Sequence, residues 1–61
     1  MNERLRKLRK YMDLTQQDFG ARLSVKGNTV AQWESGRNCP PDSAITFICR
    51  EFNVNEDWLR Y

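Results

Sequence analysis

The chain has no histidine, and its 61 residues include only two cysteines, three glycines and two prolines. Cys39 and Cys49 alone cannot make a zinc site, which normally takes four ligands. In a cytosolic protein both thiols are expected to stay reduced, although their spacing also permits a Cys39–Cys49 bridge. There is no glycine-rich phosphate loop and no Cys/His or Ser/His pair, and the chain is short for a catalytic cleft. An enzyme is therefore not expected, and no cofactor or small-molecule substrate is implied. No apolar run is long enough for a membrane span, and no basic start is followed by an apolar stretch and a small-residue cleavage site. A soluble, cytoplasmic protein without a membrane partner is the expectation.

What is present suits one small domain over residues 1–61. The composition is 39% hydrophobic and 30% charged, neither disordered nor fibrous. Charge is unevenly placed. Residues 1–37 carry eight Lys/Arg against four Asp/Glu, and residues 38–61 carry two against four. A basic first half suggests a face that meets a polyanion. On charge alone, a solvated basic first helix is the simpler account.

Turn and cap residues divide the chain into five short helices with no strand pair. The first is expected from about Asn2 to Met12, with Asn2 as cap and Leu5, Leu8 and Met12 on one stripe. The second follows Leu14, with Thr15 as N-cap and Asp18 in the place of a capping-box acid. Phe19 and Leu23 form its buried side. The third covers about Gly27 to Ser35, with Val30 and Trp33 inward and Gly36 as C-cap. Pro40 or Pro41 opens a fourth, whose stripe is Ile45, Ile48, Cys49 and Phe52 and which Asn53 ends. Asn55 caps a last short helix bearing Trp58 and Leu59. Both tryptophans are assigned to the core. Phe47 lies off the stripe and is a candidate contact for a partner subunit.

The informative feature is the short connection between helices two and three, about Ser24 to Lys26. Helices joined so tightly cross at a large angle, so the second projects while the first braces it. A projecting helix fits the major groove of DNA, about 12 Å wide. Asn28 and Gln32 are four apart and share its outer face. Each amide offers a donor and an acceptor, matching the N6/N7 edge of adenine. Gly27, with no side chain, permits close backbone approach. Lys26 and Arg37 flank the helix where phosphates would run. Gln16, in the first turn of helix two, can give its amide to a phosphate. Exposed Asn and Gln are otherwise usually only solvated; the tight turn and flanking bases favour base contact.

The segment Leu14 to Arg37, LTQQDFGARLSVKGNTVAQWESGR, resembles the core of the phage Cro/repressor helix-turn-helix family, also called the xenobiotic-response-element family. Thr15–Gln16, the small Gly20 where the two helices touch, Val30 and Trp33–Gly36 carry the likeness, and Phe52 to Leu59 is similar to the family's closing segment. The resemblance implies an all-α, five-helix, lambda-repressor-like domain, usually a dimer on near-palindromic operator DNA and usually a transcriptional repressor. It implies base contacts from Gly27, Asn28 and Gln32, and phosphate contacts from Gln16, Lys26, Arg37 and Asn38. It also implies an ion pair between Arg9 and Glu34, and dimer contacts near Asn53 to Glu56. Two positions depart from the pattern. Ser24 stands where the turn usually has glycine, which implies a strained positive φ. Gly27 offers no reading side chain. An antitoxin or a protein-interaction module on the same fold is the alternative, and the chain is either a minimal regulator or the DNA-binding part of a longer one.

Overall fold

The computed structural model describes residues 2–61. Five helices follow in order: α1 (Asn2–Tyr11), α2 (Gln16–Arg22), α3 (Gly27–Ser35), α4 (Asp42–Phe52) and α5 (Glu56–Arg60). No strand occurs among the described residues, and no helix there is long and apolar enough to cross a membrane.

Each helix is too short to be stable alone, so packing must hold it. Every one delivers a fully buried side chain to a common centre: Leu5, Phe19, Val30, Ile48 and Leu59. Leu8, Trp33, Ile45 and Phe52 complete the core. The Phe19 and Phe52 rings stack with centroids 4.9 Å apart, joining α2 to α4.

The first four helices end in the same way. In each, a residue just past the end takes a left-handed conformation: Asp13 (φ 59°), Ser24 (φ 60°), Gly36 (φ 82°) and Asn53 (φ 55°). The next N–H then reaches back five residues, from Leu14 to Arg9, Val25 to Gly20, Arg37 to Gln32 and Val54 to Cys49. This reversal satisfies carbonyls that a helix end would orphan and folds the chain back at once. Asp and Asn tolerate the left-handed region better than Ser does.

Several expectations need correction. Asn2 is the first helical residue rather than the cap; the position before it lies outside the described residues. Helix α1 stops at Tyr11, because the left-handed Asp13 turns the chain. The connection between α2 and α3 is four residues, Leu23 to Lys26. Thr15 does cap α2, accepting from the Asp18 N–H at 3.0 Å. Cys49 is only half-buried; it and the exposed Cys39 are both free thiols. Trp33 is buried, but Trp58 is 40% exposed. In the five-residue α5 only one position faces inward, and Leu59 occupies it. Trp58 is turned outward, where the Arg4 guanidinium covers its ring at 5.5 Å and donates to its backbone carbonyl.

The close crossing of α2 on α3 depends on Gly20. A Cβ there would lie 2.6 Å from the Val25 carbonyl oxygen, which is backbone and cannot swing away. Gly20→Ala should therefore lower the melting temperature. The overpacking costs about 1–3 kcal/mol, which outweighs the roughly 1 kcal/mol by which alanine favours a helix. A rise in the melt would show that the two helices can separate freely. Ser24→Gly should do the opposite, removing up to about 1–2 kcal/mol of left-handed strain, less the extra chain entropy that glycine loses. A lower melting temperature for that variant would contradict the strained turn.

Candidate nucleic-acid interface

Helix α3 is fixed in orientation by a charge inside the fold. The Glu34 side chain is 1% exposed, and the Arg9 side chain facing it from α1 is 13% exposed. Arg9 Nε donates to Glu34 Oε2 at 2.7 Å, and a terminal guanidinium nitrogen donates to Oε1 at 3.1 Å. The other terminal nitrogen donates to the Leu14 carbonyl at 2.8 Å. Gln16 Nε2 adds a bond to Glu34 Oε1 at 3.2 Å, and Arg6 stands 3.6 Å from the same oxygen. One carboxylate thus ties α1, α2 and α3 together. Burial pushes the Glu34 carboxyl upward, but the hydrogen bonds from Arg9 and Gln16 and the charges of Arg9 and Arg6 outweigh it and hold it below its ordinary value.

Braced in this way, α3 turns its other side outward. Asn28 is exposed and Gln32 half-buried, one helical turn apart. Lys26 and Arg37 are exposed at its two ends, and neither makes an ion pair among the described residues. An open cleft of about 580 Å³ lies beside the starts of α2 and α3; Gln16, Gln17, Lys26, Gly27 and Asn28 are among its walls. The structure thus brings Gln16, Lys26, Gly27 and Asn28 to one cleft and places Gln32, Arg37 and Asn38 at the far end of α3.

Three of these residues are engaged in ways the sequence did not show. The Gln16 amide spends one N–H on Glu34. Gly27 is half-buried, and a Cβ on it would sit 3.1 Å from the Gln17 Cα and 3.2 Å from the Gln17 nitrogen. Its bareness makes room for the backbone of α2. Asn38 Nδ2 donates to Gln32 Oε1 at 2.6 Å. A usable signal for that last contact existed: Asn38 follows the glycine reversal by two residues, which returns it over the last turn of α3.

A family model described as Helix-turn-helix matches residues 5–59. The chain belongs to the helix-turn-helix family. Among relatives, the HTH-type transcriptional activator BcrR of Enterococcus faecalis is 34% identical over 58 residues, covering 95% of this chain and 28% of that protein. Antitoxin PezA of Streptococcus pneumoniae serotype 4 is 31% identical over 55 residues, covering 90% of this chain and 35% of that protein. The chain thus spans about a third or less of the length of these relatives. The P22 c2 repressor, solved in complex with synthetic operator 9T in the presence of Tl+, superposes with a TM-score of 0.86 at 24% identity, over 95% of this chain and 88% of that one. That likeness establishes the five-helix repressor-like fold. Family and fold are those of DNA-binding regulators, not of enzymes.

In this helix-turn-helix domain the Arg9–Glu34 brace should dominate stability. Glu34→Ala strands Arg9 in a poorly solvated site and should cost about 3–5 kcal/mol, comparable with the whole stability expected of a small domain. Replacing both partners together, Arg9→Met with Glu34→Leu, should be far milder, and a denaturation double-mutant cycle measures the difference. Additive losses would mean that the pair is not coupled. Because the folded carboxyl titrates below the unfolded value of about 4.3, its contribution is fully present above that pH. It is lost as pH falls through the folded value. Glu34→Gln should accordingly flatten the acid limb of stability below about pH 4.3.

Proposed function

We propose that this chain is a sequence-specific, double-stranded DNA-binding transcriptional regulator of the cytoplasm, a repressor that reads operator DNA with α3 in the major groove. The observation that carries this reading is the outer side of α3. Two amide side chains stand there between Lys26 and Arg37, two cations without acidic partners among the described residues, on a helix locked from behind by a buried ion pair. Asn28 and Gln32 contact base edges, and Gly27 at the tip of α3 offers backbone alone, its missing Cβ being the space taken by the α2 backbone. Lys26, Arg37, the second N–H of Gln16 and the amide of Asn38 contact phosphates. Phosphate contacts fix register, whereas base contacts carry sequence information. The P22 c2 repressor was solved with an operator, and the repressor-like fold supports the same mode of docking here.

The nine residues of α3 span only about 13 Å at 1.5 Å per residue, enough for a few base pairs. One copy therefore reads too little sequence to select a site in a genome. The functional unit on DNA is a two-fold dimer on a near-palindrome, with half-sites about 34 Å apart. Asn53 to Glu56 and the half-exposed Phe47 are the contact surfaces proposed for it. A second reading has its own support, because a relative is the antitoxin PezA. An antitoxin would bind a toxin as well as its own operator.

Quantitative gel shifts over a salt series test the reading. Lys26→Ala and Arg37→Ala should each weaken binding to all sequences alike and reduce the log–log salt slope by about one. Asn28→Ala should leave non-specific binding nearly unchanged while costing roughly 1–3 kcal/mol on the preferred site. Binding that does not respond to salt, or a reading mutant as selective as the parent, would refute the DNA face. Tight non-cooperative binding to an isolated half-site would refute the dimer.

A further inference from the structure

We infer that Asn38 is a specificity-positioning residue: it holds the oxygen of the Gln32 amide toward itself so that the N–H donors lead outward, and Gln32 then favours an acceptor edge, guanine N7/O6 or thymine O4, over adenine. The inference rests on the DNA-reading role proposed for α3. It replaces the expectation that both amides of this face read adenine.

The backbone sets the position of Asn38. Gly36 turns left-handed, and the chain folds back over the last turn of α3. The N–H groups of Arg37 and Asn38 both donate to the Gln32 carbonyl, at 3.1 and 3.3 Å. The Ser35 hydroxyl donates to that same carbonyl at 3.0 Å and accepts from the Arg37 N–H at 3.3 Å. Asn38 is therefore fixed by its main chain directly beside Gln32. Its side chain then adds the 2.6 Å bond from Nδ2 to Gln32 Oε1. Main chain and side chain of one residue converge on the other.

The consequence follows from the chemistry of a primary amide. Such a group has one acceptor oxygen and one nitrogen with two N–H donors. Bidentate pairing with adenine needs both ends, the oxygen for N6–H and the nitrogen for N7. In Gln32 the bond from Asn38 takes one lone pair of the oxygen and turns the C=O toward Asn38, whereas Nε2 donates to nothing among the described residues. A two-donor group matches the paired acceptors of guanine or the single acceptor of thymine. Asn28 has no such partner among the described residues and keeps both ends available. The two amides of one face are thereby given different tasks by a residue outside the helix.

The test is selection from random duplex DNA with the whole chain. Gln32→Ala first identifies the base-pair position that Gln32 reads, as the one where preference vanishes. At that position the parent should enrich guanine or thymine. Asn38→Asp replaces the donor with a carboxylate that only accepts. It should turn the Gln32 amide over, present the oxygen and switch enrichment to adenine or cytosine, with on the order of tenfold discrimination. Asn38→Ala should leave the amide free to rotate and flatten preference at that position alone. Selection at the Asn28 position should not change in either variant, and this separates positioning from general loss of structure or of phosphate contact.

Adenine or cytosine enrichment by the parent, or an unaltered preference in both variants, would overturn the inference while leaving the DNA reading intact. A parent that enriches no sequence overturns the DNA reading and the inference with it. Side-chain amide NMR of the free protein gives an answer even if a variant folds poorly. The Asn38 Nδ2 protons should exchange more slowly than those of Gln32 Nε2, and the reverse order would overturn the assignment.

Discussion

A carboxylate at the centre of the domain constrains everything around it. Glu34 sits on the inner side of α3, the helix proposed to read DNA, and its charge cannot be left alone there. Removing such a group from water costs several kcal/mol unless the partners are well placed. The bidentate guanidinium of Arg9 and the amide of Gln16 supply those partners from two other helices. No fully buried side-chain nitrogen or oxygen among the described residues lacks a hydrogen bond. The geometry follows from this requirement: α1, α2 and α3 must keep fixed angles to one another, or the carboxylate loses its bonds. A purely apolar contact at the same place would hold the helices together but tolerate sliding. For a helix proposed to present two amides in register with base pairs, orientation matters more than adhesion.

The second constraint is length. Helices of five to eleven residues leave little apolar surface each, so the loops must be short enough to return every stripe to one centre. Left-handed residues at Asp13, Ser24, Gly36 and Asn53 do this with a single reversal apiece. Three of the four are not glycine, so the fold carries some backbone strain. Core burial offsets it, at about 1.5–3 kcal/mol for each large apolar side chain fully removed from water. Between α2 and α3 the same economy leaves no space for a Cβ at Gly20, and the crossing that projects α3 depends on that contact.

Most of this was legible in the chain. Helix limits from α2 to α5 follow from Thr15, Gly36, Pro41, Asn53 and Asn55, because cap residues act locally and their chemistry can be read one position at a time. The Arg9–Glu34 pair was legible only through family resemblance, since nothing local links residues 25 apart. Asp13 was missed because an aspartate is a less distinct helix stop than a glycine. Trp58 was misplaced because periodicity on a five-residue helix allows more than one inward face, and packing chose Leu59. The engagement of Gln16 could not be read from residue types, and that of Asn38 was signalled only by its place two residues after the Gly36 reversal. An amide looks equally available for DNA whether or not the fold has already used one end of it.

That last point bears on how such a face discriminates. Two residues of similar chemistry on one helix would be expected to prefer the same base, and a helix reading the same base twice carries less information than one reading two. Under the proposed DNA reading, the outward face of α3 avoids this without changing the residue type. Asn28 is exposed and free to offer either end of its amide, so it gains from adenine but loses side-chain freedom on binding. Gln32 is half-buried, with its oxygen turned toward Asn38, so it has less freedom to lose and presents its N–H donors first. Preorganisation of that kind lowers the entropic cost of the correct contact. It also makes a wrong contact expensive, because turning the amide to suit another base would break the bond to Asn38. Specificity at this face thus depends on hydrogen bonds made within the protein before DNA arrives as much as on those made to the bases.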